Sequence, residues 1–170
     1  MGDVLPPGVA PVAIAEAKAF LRLDGGAEDA LIAGFIRAAT GLAEVFTGQA
    51  LIVRDIAESV PAVTTWQRLK TVPCVAITGI DGLNGAAFES DIDLAGHGWV
   101  RVIAPGTATR VTVRYRAGLA ADWNGIPEAL RLGIVRLVSH FHAHRDVPDA
   151  GGPPAAVAAL WRPWRRLRLG

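Results

Sequence analysis

Residues 27–48 read AEDALIAGFIRAATGLAEVFTG, and the spacing of their apolar side chains decides the fold class. Leu31, Ile32, Phe35, Ile36, Ala39, Leu42, Ala43 and Phe46 recur at the helical period and form one wide stripe. Glu28 and Asp29 suit the positive N-terminal end of a helix, and Gly48 suits its close. The spacing predicts an amphipathic helix over 27–48, whose stripe needs other helices to cover it. Upstream, PVAIAEAKAFLRLDGG starts with Pro11 in a first helical turn and stops at Asp24-Gly25-Gly26, which predicts a shorter helix over 11–23. Downstream, IPEALRLGIVRLVSHFHAHRD puts Pro127 in a first turn and Glu128 at the positive end. Leu130, Ile134, Leu137, Val138 and Phe141 share one face, so a second long helix is expected over 127–145, closed by Arg145.

Between these helices, over 51–117, the texture changes to β-branched runs punctuated by Asp81-Gly82, Asn84-Gly85 and Pro105-Gly106. Those dipeptides are turn and hairpin signals. Four to six short antiparallel strands are expected, on LIVRDIAE, VAITGI, WVRVI and RVTVRY. In RVTVRYRAG the alternation puts Val111, Val113 and Tyr115 on one face and Arg110, Thr112, Arg114 and Arg116 on the other. One face packs and the other is strongly cationic. Asp91 and Asp93 in ESDID read as exposed strand residues, and Cys74 in TVPCVAI as a buried one. The fold class is α+β: a helical bundle of two long helices and a shorter one, with an inserted antiparallel β subdomain and a C-terminal tail.

A chain of 170 residues suits one domain, which by area scaling buries about 70% of its unfolded surface. The composition is 51% hydrophobic but is broken every few positions, so no run approaches the roughly 18–20 apolar residues of a membrane span. The start, MGDVLPPGVAPVA, has no cationic region and two early prolines, which argues for a cytosolic origin. Net charge is +1, but residues 1–96 carry six basic and twelve acidic side chains, and residues 97–170 carry eleven and four. Such asymmetry suits self-association or an anionic partner.

Enzyme-like features are few. His140 and His144 in HFHAH are i and i+4 on a helix and could share a metal, with His142 pointing elsewhere. The position of the general-base Glu in an H-E-x-x-H helix is Phe141, and the nearest acid is Asp146, so no metal site is assigned. Neither a phosphate loop nor a G-x-S-x-G elbow occurs. No catalytic residue and no cofactor are assigned. Arg110, Arg114 and Arg116 could meet phosphates, but lack the interleaved aromatics of a single-strand platform, so an inter-subunit face is the other reading.

The chain closes on LWRPWRRLRLG, residues 160–170. Residues 147–154 form a Pro/Gly linker, and AAVAALW can make two helical turns before Pro163 forbids continuation. Trp161 and Trp164 flanked by Arg162, Arg165, Arg166 and Arg168 have the composition of interface anchors. Leu167 and Leu169 alternate with Arg166 and Arg168, which suits strand addition to a partner. The expectation is a detached docking tail over 155–170 that leaves the domain, residues 1–146, intact when removed.

Three stretches together resemble the head-tail connector, or adaptor, proteins of long-tailed bacteriophages and gene transfer agents. The first, AKAFLRLDGGAEDALIAGFIRAATGLAEVFTGQAL, carries Ala17-Lys18, Leu21-Arg22, Asp24, Glu28-Asp29, Leu31-Ile32, Ala38-Ala39, Glu44 and Thr47-Gly48 of that family's opening pattern. The second is LKTVPCVAITGIDG. The third, VRYRAGLAADWNGIPEALRLGIVRLVSHFHAHRD, carries Tyr115, Ala117-Gly118, Pro127, Leu137 and Arg145. Gln49 stands where the family commonly has a basic residue, and His142 where it has an aromatic one. The resemblance covers residues 11–146 and implies a non-enzymatic virion component assembled in the bacterial cytoplasm. It implies a homo-oligomeric ring, usually dodecameric, between the portal and a stopper or tail-completion protein. DNA passes through the channel of such a ring without sequence-specific binding, and no membrane is involved. The expected portal-binding residues are Trp161, Arg162, Trp164, Arg165, Arg166, Leu167, Arg168 and Leu169, and Arg110, Arg114 and Arg116 face a neighbouring subunit or DNA. The alternative is a small DNA-binding protein that uses the basic second half.

Overall fold

The helix expected over 27–48 is α2, Asp29–Thr47, in the computed structural model, which describes residues 11–83, 88–144 and 152–166. Ile32, Ile36, Ala39, Ala43 and Thr47 form its buried stripe. Gly48 ends it in the left-handed region at φ 70°, where its N–H donates to the Glu44 carbonyl at 2.9 Å. At 19 residues α2 is long and apolar enough to cross a membrane by length and composition, although its apolar residues form no unbroken run. Its buried stripe and its Asp29, Arg37 and Glu44 are those of an amphipathic core helix.

The chain divides into two units, one formed by Ile52–Ala121 and the other by the segments on either side. In the helical unit α1, Pro11–Leu21, stops two residues short of expectation because Arg22 turns left-handed at φ 58°. The Arg22 and Leu23 N–H groups then donate to the carbonyls of Ala19 and Lys18, closing the helix in a Schellman pair. Lys18 reaches Asp29 at 2.7 Å, and Trp123 Nε1 donates to Glu16 Oε2 at 2.8 Å, tying α1 to both long helices' approaches. Helix α3, Glu128–Ala143, buries Leu130, Gly133, Ile134, Val135, Leu137 and Val138. Phe141 lies half-buried against Phe35 of α2, with centroids 6.0 Å apart. Arg145, the expected closing residue, lies outside the described residues.

The β unit has six strands: β1 Arg54–Pro61, β2 Gln67–Arg68, β3 Cys74–Asp81, β4 Phe88–Ile92, β5 Gly98–Val102 and β6 Arg110–Ala117. They form two antiparallel three-stranded sheets, ordered β1-β6-β3 and β2-β5-β4. Ile56 and Val60 of β1, Val111, Val113 and Tyr115 of β6, and Val100 and Val102 of β5 share one core. Cys74 is buried there, and burial pushes its thiol pKa up. The turn signal Asn84-Gly85 lies outside the described residues.

Two expectations are corrected. The first concerns Asp93, which is not an exposed strand residue: β4 ends at Ile92, and Asp93 organises the turn into β5. Its carboxylate accepts hydrogen bonds from Trp99 Nε1 at 3.0 Å and from the His97 N–H at 2.8 Å, with His97 Nδ1 at 3.0 Å. These bonds, that from Trp99 foremost, hold the carboxyl well below the usual carboxylate range.

The second correction concerns the tail. Residues 155–166 do not stand clear of the helices: α4, Ala155–Trp161, buries Val157 and Trp161 completely enough to join the core. The Trp161 indole lies against Phe46 of α2, with centroids 5.8 Å apart, and Nε1 donates to the Leu130 carbonyl at 3.3 Å. Its seat is Gly133, where an added Cβ would run into the indole ring. The apolar content of AAVAALW outweighs the entropy of closing the preceding segment, a cost that grows only slowly with loop length.

Gly133→Ala ordinarily gains about 1 kcal/mol in a helix interior. Here it is expected to destabilise by about 1–3 kcal/mol through overpacking against Trp161. Urea unfolding followed by tryptophan emission checks this, and a stabilised variant contradicts the seat. For Asp93, a depressed folded pKa means that the turn's contribution is whole above the ordinary carboxylate value, about pH 4, and is lost as pH falls toward the folded value. Amide protection at His97 should therefore fall in acid in the native chain. In Asp93→Asn it should be lower at neutral pH and change little on acidification.

Candidate functional site

The C-terminal segment is stitched onto the end of α2 by backbone groups that the helix leaves open. The last carbonyls of an α-helix have no intrahelical donor. The Arg166 N–H supplies one to Thr47 at 2.8 Å, while Thr47 Oγ1 donates to the Ala43 carbonyl at 2.7 Å. Gln49, buried beside this junction, donates from Nε2 to the Trp164 carbonyl at 3.0 Å. Gly48 permits the approach, since a Cβ there would lie 3.1 Å from the Arg166 carbonyl oxygen and its φ is 70°. Gln49, one of the two residues that depart from the adaptor pattern, thus holds the tail in this chain.

Pro163 lies in a 3-10 turn, Arg162–Trp164, after which Arg165 becomes extended at φ −71°, ψ 120°. The segment therefore has two halves, as Pro163 implies, but the first is core. Of the expected portal-binding side chains, Trp161 is buried and positions the segment. Arg162 and Arg165 are exposed, and Trp164 and Arg166 are half-buried. Leu167, Arg168 and Leu169 lie outside the described residues. The Arg165 guanidinium lies 5.8 Å from the Phe46 ring centroid, and among the described residues no ion pair engages Arg162 or Arg165. Val45 of α2, 80% exposed, occupies the same helix end. The result is a preformed cationic and apolar patch built from α2 and the tail together. Phe46 and Gln49 were not legible as part of it, because only the fold-back brings them beside the tail.

Arg110, Arg114 and Arg116 do share the outer face of β6, the central strand of its sheet. They are not the bare cationic face that the alternation suggested. Arg114 Nε donates to Asp81 Oδ2 at 2.6 Å, and Arg116 Nε lies 3.9 Å from Asp55 Oδ1. Arg110 donates to the Ser59 hydroxyl and carbonyl at 3.0 and 2.8 Å. The acids arrive from β1 and β3 through strand register, with Asp55 directly opposite Arg116. On the inner face the Tyr115 hydroxyl donates to the buried Glu58 carboxylate at 2.8 Å and accepts from the Thr71 N–H at 3.2 Å. Burial drives the Tyr115 pKa upward. Glu58 also accepts from the Lys70 N–H at 3.0 Å, so this pair pins the loop between β2 and β3.

His140 and His144 are brought together at the end of α3, with ring centroids 4.3 Å apart, whereas His142 turns to Glu28 at 3.3 Å. Among the described residues no group of three or more His, Cys, Asp and Glu side chains converges as a metal site would.

No protein-family model and no curated protein matches the chain. Solved structures do. A chain in the neck of an empty gene transfer agent (GTA) particle, computed with C6 symmetry, aligns with a TM-score of 0.77 and 27% identity over 99% of this chain and 97% of that one. A chain in the virion of a native GTA particle aligns at 0.74 and 27%, covering 99% and 96%. A chain in the neck of a native GTA particle, computed with C12 symmetry, aligns at 0.75 and 24% over 99% and 96%, and supports the fold alone. The chain therefore has, over nearly its whole length, the α+β fold of structural proteins from the GTA neck and virion.

Proposed function

We propose that the chain is a non-enzymatic adaptor of a gene-transfer-agent or phage particle, one subunit of a cyclic ring that joins the portal to a stopper or tail-completion protein and lengthens the DNA exit channel. The observation that carries this reading is the likeness to a neck chain across 99% of the sequence at a TM-score of 0.77. The neck treated with C6 symmetry supports a cyclic homo-oligomer, and the adaptor resemblance implies a twelvefold one. A cyclic ring requires two different, complementary faces on each subunit.

The portal-facing surface in this reading is the patch at the end of α2. Arg162, Trp164, Arg165 and Arg166 present to the partner and Val45 adds apolar area, while Leu167, Arg168 and Leu169, outside the described residues, complete the proposed portal-binding set. Trp161 and Gln49 hold the patch in shape, so docking costs less ordering than a disordered peptide would incur. Removal of residues 155–170 accordingly exposes Leu130, Gly133 and Phe46 and does not leave an undisturbed domain.

The DNA-binding alternative draws less support, because Arg114 and Arg116 are engaged by Asp81 and Asp55. On that alternative the free chain binds duplex DNA with an affinity that falls steeply as salt rises.

Portal rings immobilised and exposed to purified chain should capture it as a ring. The double substitution Arg162→Glu with Arg165→Glu should weaken capture by at least about tenfold, equivalent to about 1.4 kcal/mol, with urea stability unchanged. Undiminished capture removes the patch from the interface. Failure of the native chain to bind portals, together with salt-sensitive binding to duplex DNA, favours the alternative.

A further inference from the structure

The histidine pair at the end of α3 belongs to neither the ring reading nor the core. His140 and His144 lie one turn apart, and their ring planes are inclined by only 34°. His144 Nδ1 is 2.9 Å from the His140 backbone carbonyl oxygen. A carbonyl only accepts, so that bond requires a proton on Nδ1, and in a neutral imidazole it leaves Nε2 as a lone-pair donor. Histidine ligands of metals are held in this way, with the second ring nitrogen bonded to a carboxylate or a backbone carbonyl. The last carbonyls of α3 supply the negative end of the helix dipole at the same place, which favours a bound cation. His144 is exposed and His140 half-buried, so an ion can reach both.

The other histidines are occupied elsewhere. His142 Nε2 is 3.3 Å from Glu28 Oε2 and its ring stands edge-on to Phe35. His97 is bonded to Asp93 in the β unit.

We propose that His140 and His144 form a two-histidine chelate for a borderline divalent transition metal at the C-terminal end of α3, with the remaining coordination positions open to water. Paired imidazoles select Cu2+, Ni2+ and Zn2+ over the oxygen-seeking Mg2+ and Ca2+. Copper binds most tightly of the three on the general order of divalent affinities. The bound ion bridges positions i and i+4 and so pins the last turn of the helix.

Calorimetric titration of the full chain with CuCl2, NiCl2, ZnCl2 and MgCl2 tests the site. One saturable equivalent of Cu2+ is expected, with weaker Ni2+ and Zn2+ and no Mg2+. His140→Ala and His144→Ala should each lower the Cu2+ affinity by at least about tenfold, the smallest loss that removal of an outer partner of a metal site causes. His142→Ala and His97→Ala should leave it unchanged. Amide exchange over residues 140–144 should slow when Cu2+ is added. The chelate is overturned if no saturable binding occurs, or if binding survives either His140→Ala or His144→Ala, in which case His144 serves only as a cap on the helix end. The outcome is independent of whether the chain enters a ring.

Discussion

The helical unit depends on one contact, the Trp161 indole lying on the backbone of α3 at Gly133. A glycine in a helix interior costs about 1 kcal/mol relative to alanine, and its placement at 133 is explained by the ring that lies there. Burial of a tryptophan side chain removes an apolar area worth several times that cost. After Trp161 the chain runs past the end of α2. There the Arg166 N–H meets the Thr47 carbonyl, which a free helix end leaves to water, and the Gln49 side chain donates to the Trp164 carbonyl of the tail. The tail thus serves as the cap of α2.

Much of this architecture was legible beforehand. The apolar period of residues 27–48, the Pro127-Glu128 start of α3 and the alternation of Val111, Val113 and Tyr115 each specify an element locally, and the elements formed where they were expected. The shifts at helix ends have local causes too, such as the left-handed Arg22, which composition does not signal. The tail was misread for a different reason. Its indole is satisfied by a glycine 28 positions upstream, and nothing in LWRPWRRLRLG reports that distant seat.

The outer face of β6 teaches the same lesson about charge. Read along one strand, Arg110, Arg114 and Arg116 are a row of cations. Read across the sheet, Asp55 and Asp81 stand beside them, because register brings neighbours from positions more than thirty residues away. Cross-strand pairing of this kind contributes modestly to stability but largely cancels the field that would attract nucleic acid. Arg162 and Arg165, which are exposed and without an ion pair among the described residues, instead lie on the patch that the folded tail creates.

On the adaptor reading, a chain that matches a neck chain over 99% of its length, with Arg162 and Arg165 exposed on either side of Trp164 in the folded tail, is held between protein surfaces. Electron microscopy of purified particles containing this chain, reconstructed with cyclic symmetry about the head-tail axis, tests that account most directly. A closed ring of copies between portal and tail, with the Trp164 and Arg165 side turned toward the portal, is the predicted result. Particles in which the chain is absent from the neck, or present as a single copy bound to the DNA, contradict it.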